Sequence, residues 1–375
     1  MKLSDIARLR LENQRLTQPS FTTPAEVVRW LGAVQSQDLT ASLYAIGLRM
    51  RDATEALVER ALADRSIVRS WPMRRTIHCM AAEDARWMLR LLAPRGIARM
   101  QPYHRSMGLT DDELRRAAKV LETALAGDRQ LTRAELYQRL NAAGTATDTP
   151  DGQTRGLHIL CHWAQAGLIC IAARQGKQPT FALLEEWTPR GRDLSGDEAL
   201  AELAGIYFRA HAPATVKDFA WWASLNVSEA KRALQLIADR LRPVQVDGIE
   251  YWQLRDAPPA SSAPVPVLLL PVFDEYTVAY ADRSVAADPS VLPTLSHGLA
   301  ANILINGRIA GTWKRTLRGD HTVAITPSFL RILNKQEQSS FLRAAERYAA
   351  FLGRTLEKDS GRPPRTSTQK GKRQR

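Results

Sequence analysis

Two glutamines set two residues apart, Gln35 and Gln37 in the run Val34-Gln35-Ser36-Gln37-Asp38, are the side chains whose type and spacing point to chemistry that needs no titration. A carboxamide accepts through Oε1 and donates through Nε2, so a pair of them can fix a water molecule at any ordinary pH. Inside a helix, residues i and i+2 point about 200° apart around the axis, so both amides serve one site only if the chain has left the helix by Ser36. The bland alternative is a polar helix end facing water. The element that must position the pair is the amphipathic stretch Glu26–Ala33. Thr23 caps it with Glu26 three residues on, and it is expected to end near Gly32 or Gln35.

The chain has 375 residues, 45% of them hydrophobic, which is length for two or three compact units each with its own core. It opens on Met1-Lys2-Leu3-Ser4-Asp5 with no apolar leader, and no apolar run approaches the ~20 residues of a membrane span. A cytoplasmic, nucleoid-associated protein with no membrane partner is expected. Cys79, Cys161 and Cys170 form no paired motif, which argues against a disulfide scaffold or a structural zinc site, and no metal or cofactor is expected. The net charge is +13. Six of the basic residues lie in the tail Gly361–Arg375, which has no acidic residue, and the remaining body is still basic. That balance suits a polyanionic partner such as nucleic acid.

The chain repeats one plan three times. Thr23-Pro24-Ala25-Glu26 opens a helix, a second follows near Ala53–Ala63, and Ile67–His78 reads as two short strands around a Pro turn. Thr132-Arg133-Ala134-Glu135 opens the second copy, with a further helix near Thr154–Ala166 and a hairpin around Gln175-Gly176-Lys177. Thr215-Val216-Lys217-Asp218 opens the third, closed by a hairpin across Asp247-Gly248. Helix, helix and two-stranded wing make a winged helix-turn-helix; the alternative is a helical protein with incidental hairpins. The expected class is α+β, with three tandem winged helix-turn-helix units at 1–100, 101–190 and 191–256, a β-rich C-terminal domain at 257–355, and a basic tail at 356–375.

The Pro-, Ala- and Ser-rich stretch Ala257–Pro264 marks the linker into that last domain. Beyond it Val267–Leu270 reads as a buried strand, leading into Pro271-Val272-Phe273-Asp274-Glu275-Tyr276. Asp274 is either a catalytic carboxylate or a turn cap. Ile303–Arg315 reads as a hairpin with Asn306-Gly307 at its turn, and Lys335–Leu352 as a terminal helix.

Four segments taken together carry a family resemblance: Gln35-x-Gln37 after the first capped helix, Trp71–His78, Leu270–Tyr276, and Gly307-Arg308-x-x-Gly311-x-Trp313-Lys314-Arg315. In this order they resemble the tandem winged-helix alkylpurine DNA glycosylases, in the AlkZ-like branch, since the YcaQ-like branch has aspartate where Gln37 stands. The resemblance implies a monofunctional glycosylase that acts on N7-alkylated guanine, unhooks interstrand crosslinks, and uses Gln35 and Gln37 as its catalytic pair. Asp38 matches no position of the motif.

Neutral amides suit that reaction. An N7-alkylated guanine is already cationic, so its glycosidic bond is primed and little acid catalysis is needed; what remains is to place a water and stabilise charge at C1′. The expected partner is duplex DNA bound by a monomer, with Arg69, Arg74 and Arg75 of the first wing and Arg308, Lys314 and Arg315 of the C-terminal hairpin on phosphates. The hairpin Ile303–Lys314 is the candidate probe into the duplex, or else an ordinary surface hairpin. His78 reads as structural rather than as a general base. The alternative function is a non-enzymatic winged-helix transcriptional regulator.

Overall fold

The computed structural model describes residues 1–188, 191–288 and 300–357, so the basic tail from residue 358 onward lies outside the described residues. The chain begins with α1 (Leu3–Asn13), whose buried side includes Ile6, Leu9 and Leu11. In α2 (Pro24–Leu31) the Thr23 hydroxyl accepts from the Glu26 N–H, and the Glu26 carboxylate accepts in return from the Thr23 N–H at 2.9 Å. This reciprocal cap satisfies donors that a helix start leaves open. Gly32 stops the helix with φ +81°, a conformation that disfavours any side chain, and a Cβ there would lie 2.7 Å from Ile206 Cγ2.

From Gly32 the chain runs directly into β1 (Val34–Gln35), then α3 (Leu39–Gly47) and α4 (Glu55–Ala63), capped by Asp38 and Thr54. The first wing is β2 (Ile67–Met73) and β3 (Thr76–Ala81), turning at Arg74-Arg75. After α5 (Ala85–Ser106) and α6 (Asp111–Leu125) come β4 (Leu131–Thr132), α7 (Arg133–Ala142), α8 (Pro150–Gln165), the wing β5 (Ile169–Gln175) and β6 (Gln178–Leu183), and the short α9 (Leu184–Trp187). The third copy comprises α10 (Gly196–His211), α11 (Val216–Ala223), α12 (Val227–Leu236) and the hairpin β7 (Leu241–Val246) with β8 (Ile249–Leu254). Thr132 with Glu135 and Thr215 with Asp218 form the same reciprocal cap as Thr23 with Glu26.

The wings do not stand apart. β2 pairs with β5, so the first two hairpins join with β1 and β4 in one six-stranded sheet of order β1-β3-β2-β5-β6-β4. The helix α5 continues through residue 100, where the sequence places the end of the first unit. The C-terminal part contributes β9 (Leu268–Leu270), α13 (Glu275–Val278), β10 (Asn302–Ile305), β11 (Arg308–Arg318), β12 (Thr322–Phe329), α14 (Lys335–Phe351) and β13 (Thr355–Leu356). These strands form a second sheet of order β13-β12-β11-β10-β9.

One apolar core runs from α2–α4 into this second sheet and α14, joining Val27, Leu31, Leu43 and Ile46 to Leu269, Ile303, Val323 and Phe351. Helix α14 sits close on α3. Tyr44 and Tyr348 meet edge to face with centroids 4.6 Å apart, and a Cβ on Gly47 would fall 2.5 Å from the Phe351 ring. The C-terminal part therefore shares its core with the first unit. Among the described residues no helix is long and apolar enough to cross a membrane.

Gly32→Ala adds both a strained φ and an overpacked methyl, so unfolding in urea should begin earlier, with stability lower by about 2–4 kcal/mol and an unchanged slope. A midpoint equal to that of the parent chain would refute the close seating of α2 on α10.

Candidate active site

The extended β1 decides the geometry of the glutamines. Val34 pairs with Cys79 and Gln35 with His78 on β3, and the Ser36 N–H continues the ladder to Ile77 O at 2.7 Å. Successive residues of an extended chain face opposite sides, so Ser36 points away from Gln35, while Gln37 lies past the end of the strand and is exposed. The Ile77 N–H donates to Gln37 Oε1 at 3.2 Å, which leaves the Gln37 amide N–H group free to donate outward. The Gln35 carboxamide has no protein partner among the described residues, although the residue is only 8% exposed. Asp38, which is exposed, caps α3 by accepting from the Ala41 N–H at 2.9 Å.

Ser36, the inward residue between them, is held from two sides. Its hydroxyl lies 2.8 Å from that of Ser42, and Arg69 donates to its hydroxyl at 2.9 Å and to its carbonyl at 2.8 Å. Arg69 is thus buried, with its guanidinium spent on the glutamine segment, which corrects the expectation that it reaches phosphate. Burial also lowers its pKa from the ordinary arginine range.

The outward N–H of Gln35, at the edge of the sheet, would be an unpaired donor. It donates instead to Glu275 Oε1 at 2.9 Å. Glu275 is fully buried and also accepts from Trp222 Nε1 at 3.2 Å and from Arg74 at 3.4 Å. Burial raises its pKa, against the opposing pull of Arg74. Its neighbour Asp274 accepts two bonds from Arg49, both 2.9 Å, with neither side chain exposed, and caps α13 through the Tyr276 N–H. Asp274 is therefore a cap and an ion-pair partner, closed off from substrate.

Arg74 is the second cation that leaves the expected phosphate set. Its guanidinium donates to Val278 O, to His78 Nε2 at 2.8 Å and to Glu275, and its backbone N–H to the Ser224 hydroxyl. Since arginine only donates, His78 Nε2 is an acceptor and Nδ1 carries the proton towards Thr76 O. Burial first, then Arg74, holds the His78 pKa well below its ordinary value, so this ring is neutral and occupied.

The remaining cations are all exposed. Arg75 is exposed at the tip of the first wing. On β11, Arg315 donates to the Tyr348 hydroxyl and lines a cavity of about 140 Å³ shared with Asp38, next to the glutamines. Lys314 is exposed beside it, whereas Arg308 lies seven residues away along the same strand, roughly 23 Å. The Asn306-Gly307 turn is not a free probe, because Tyr276 donates to Gly307 O at 2.6 Å and the turn packs on Ala7 of α1. The strand pair that extends into solvent is β11–β12, with exposed residues from Lys314 to His321.

The model for DNA glycosylase AlkZ-like proteins matches residues 28–351, a span that takes in the glutamine strand, its carboxylate support and strands β9 to β12 of the second sheet. The chain belongs to the AlkZ-like DNA glycosylase family. It is accordingly a DNA glycosylase, an enzyme that acts on N-glycosyl bonds, and its substrate is DNA. An interstrand DNA cross-link repair glycosylase of Streptomyces sahachiroi is 27% identical over 339 residues, covering 85% of this chain and 88% of that protein. The structure of the Streptomyces sahachiroi DNA glycosylase AlkZ superposes with a TM-score of 0.76 at 22% identity, covering 95% of this chain and 99% of that one, which establishes the common fold. Membership of the AlkZ-like family sets aside the non-enzymatic regulator.

Glu275, Ser36, Arg49 and Trp222 were not singled out from the sequence as parts of the site. The available signal was the acidic pair Asp274-Glu275 directly after an apolar strand, since buried carboxylates require cations or donors.

Two fully buried histidines make the fold acid-sensitive. His78 is held neutral as described, and burial lowers His211 to about 3 while its ring contacts Leu31 O and Gln14. Below the ordinary value of about 6.5 the unfolded chain gains protons that the folded chain refuses, so stability present in full near pH 7.5 is lost as pH falls. The slope should reach at most about 1.4 kcal/mol per pH unit for each ring. Glu275 acts in the opposite sense, and only as pH falls through its own raised value. Denaturation by urea at pH 7.5 and 5.5 measures this; a midpoint that does not fall at pH 5.5 contradicts it.

Proposed function

We propose that this chain hydrolyses the N-glycosidic bond of N7-alkylated guanine in duplex DNA, including guanines tied into interstrand crosslinks, with Gln35 and Gln37 as the catalytic pair. The observation that supports this reading is that Gln35, on β1, and Gln37, just past its end and held by Ile77, both keep amide N–H groups without a protein partner among the described residues. Gln35 and Gln37 hold a water on the sugar face and turn their carbonyl dipoles to the charge that develops at C1′. The C1′–N9 bond breaks, its electron pair neutralises the alkylguanine, water adds to C1′ and its proton passes to solvent. No titrating side chain takes part, which agrees with the neutral, occupied His78 and the enclosed Asp274.

A guanine tethered to both strands cannot swing into a deep pocket, and the exposed position of Gln37 suits attack from the groove. Arg75, Arg308, Lys314 and Arg315, all exposed, are the proposed phosphate contacts. The crosslink named for the Streptomyces sahachiroi relative supports the same substrate class.

On a duplex carrying one N7-methylguanine, and in parallel on one with an N7-linked interstrand crosslink, single-turnover base release should fall about 10²–10³-fold in Gln35→Ala and in Gln37→Ala. Duplex affinity should stay within about twofold, because neither amide meets phosphate. The release rate of the parent chain should vary by less than about threefold between pH 6.5 and 8.5, with no strand nicks accompanying it. Release that survives both substitutions would move the site elsewhere, and a bell-shaped profile centred near neutrality would bring a titrating base into the mechanism.

A further inference from the structure

All three winged-helix units contribute to a cavity of about 400 Å³ that the glutamine chemistry does not use. Its walls include Trp71 and Arg75 from the first wing, Gly96 and Arg99 from α5, Gln165 from the end of α8, and Trp221 from α11. The volume lies in the range of about 300–1,000 Å³ that holds small ligands. Arg74 connects it to the glutamines: its turn lines the cavity, while its guanidinium reaches His78, the strand partner of Gln35. We propose that this cavity receives one unstacked nucleotide of the bound duplex next to the alkylated position. Its base lies on Trp221 and its phosphate between Arg75 and Arg99.

Four observations carry the assignment. Arg74 and Arg75 have φ of +53° and +55°, a turn conformation that favours asparagine and glycine, so arginine stands twice where backbone sterics disfavour it. The buried contacts of Arg74 account for the first. Arg75 has only Met100 Sδ at 3.5 Å as a partner among the described residues, so the strained turn delivers an unpaired cation to the cavity mouth. Arg99 on α5 likewise has no carboxylate partner among the described residues.

Trp221 is 48% exposed, yet its indole N–H is fixed on Val278 O at 3.0 Å, which makes a rigid stacking platform of it, while Trp222 beside it is buried. At the floor, Gln165 is 6% exposed and its carboxamide has no protein partner among the described residues. The open space above it depends on Gly96, where a Cβ would lie 3.4 Å from Gln165 Oε1. A fixed aromatic face, an unpaired amide for a base edge and two free cations form the set that recognises an unstacked nucleotide. The occupant is a neighbour of the lesion, since a crosslinked guanine is tied to both strands.

The proposal rests on the alkylguanine reading only for where the DNA lies. The test measures Kd for lesion duplexes in which the pair on either side of N7-methylguanine is matched, mismatched or replaced by a baseless sugar, with base release followed in the same samples. A mismatch lowers the work of unstacking. The parent chain should bind one mismatched duplex about tenfold more tightly than the matched one, the preference should vanish with the baseless sugar, and both Gly96→Leu and Trp221→Ala should abolish it. Competition by dGMP against the mismatch preference, without effect on matched duplex, would support the same nucleotide chemistry. Equal affinities in the parent chain, a preference that survives both variants, or saturable dGMP binding with no mismatch preference would each overturn it. Failure of base release alone would count against the alkylguanine reading and leave the binding result standing.

Discussion

Two adjacent carboxylates buried where water does not reach them constrain everything else in this molecule. Asp274 and Glu275 sit in a segment of the C-terminal part with no exposed surface, and neither charge is tolerable there without partners. The partners come from elsewhere in the chain: Arg49 and Arg74 from the first unit, Trp222 from the third, and the edge N–H of Gln35. Breaking such a pair from one side costs about 3–5 kcal/mol, so the C-terminal part and the winged-helix units are bound to a single relative placement. The shared apolar core and the close seating of α14 on α3 act in the same direction.

The orientation of the glutamines follows from this constraint. Glu275 secures the edge of β1 from outside, Arg69 and Ser42 secure Ser36 from within, and Ile77 fixes Gln37 from the neighbouring strand. The buried charges beside the motif, Arg69, Arg74 and Glu275, are engaged in holding it and its strand partner, and the glutamines themselves are neutral amides. Such a site suits a substrate that already carries its own positive charge and needs placement more than proton transfer. Arg49, Arg69 and Arg74 of the first unit have become scaffold, and the cations proposed for DNA are exposed ones at the wing tip and along β11.

Local signals carried most of the architecture. The threonine caps at 23, 132 and 215, with Glu26, Glu135 and Asp218 three residues on, mark the same helix start three times, and the hairpins across residues 176–177 and 247–248 stand where their turn residues place them, whereas the first wing carries Pro72 inside β2 and turns at Arg74-Arg75 instead. Features that depend on distant pairing were not legible. The joining of the first two wings through β2 and β5, and the docking of the C-terminal sheet on the first unit, are set by contacts far apart in sequence. The helices α1 and α3 also escaped notice. Asp38, the cap of α3, follows directly on the glutamine motif and was given no role, and the buried face of α1 is interrupted by Arg10, itself buried against Asp218.

The same limit explains the site. Gln35 and Gln37 are readable as a pair, but the path of the chain between them depends on Ser36 being held by Arg69, which charge alone assigned to phosphate. Arg74 misled for the same reason, since sequence does not tell a buried guanidinium from a solvated one. The Asn306-Gly307 turn was correctly placed, yet Tyr276 covers it, and the strand pair that projects is the next one along.

The most direct test of the central claim is Glu275→Gln, which keeps the shape of the side chain and removes the charge that holds the edge of β1 and Arg74. Amide hydrogen exchange at Gln35 and single-turnover release from an N7-methylguanine duplex should be measured on the same folded sample. The account predicts faster exchange at Gln35 and slower release, with duplex affinity unchanged. Exchange and release both equal to the parent chain would show that the buried carboxylate does not position the glutamines, and would contradict it.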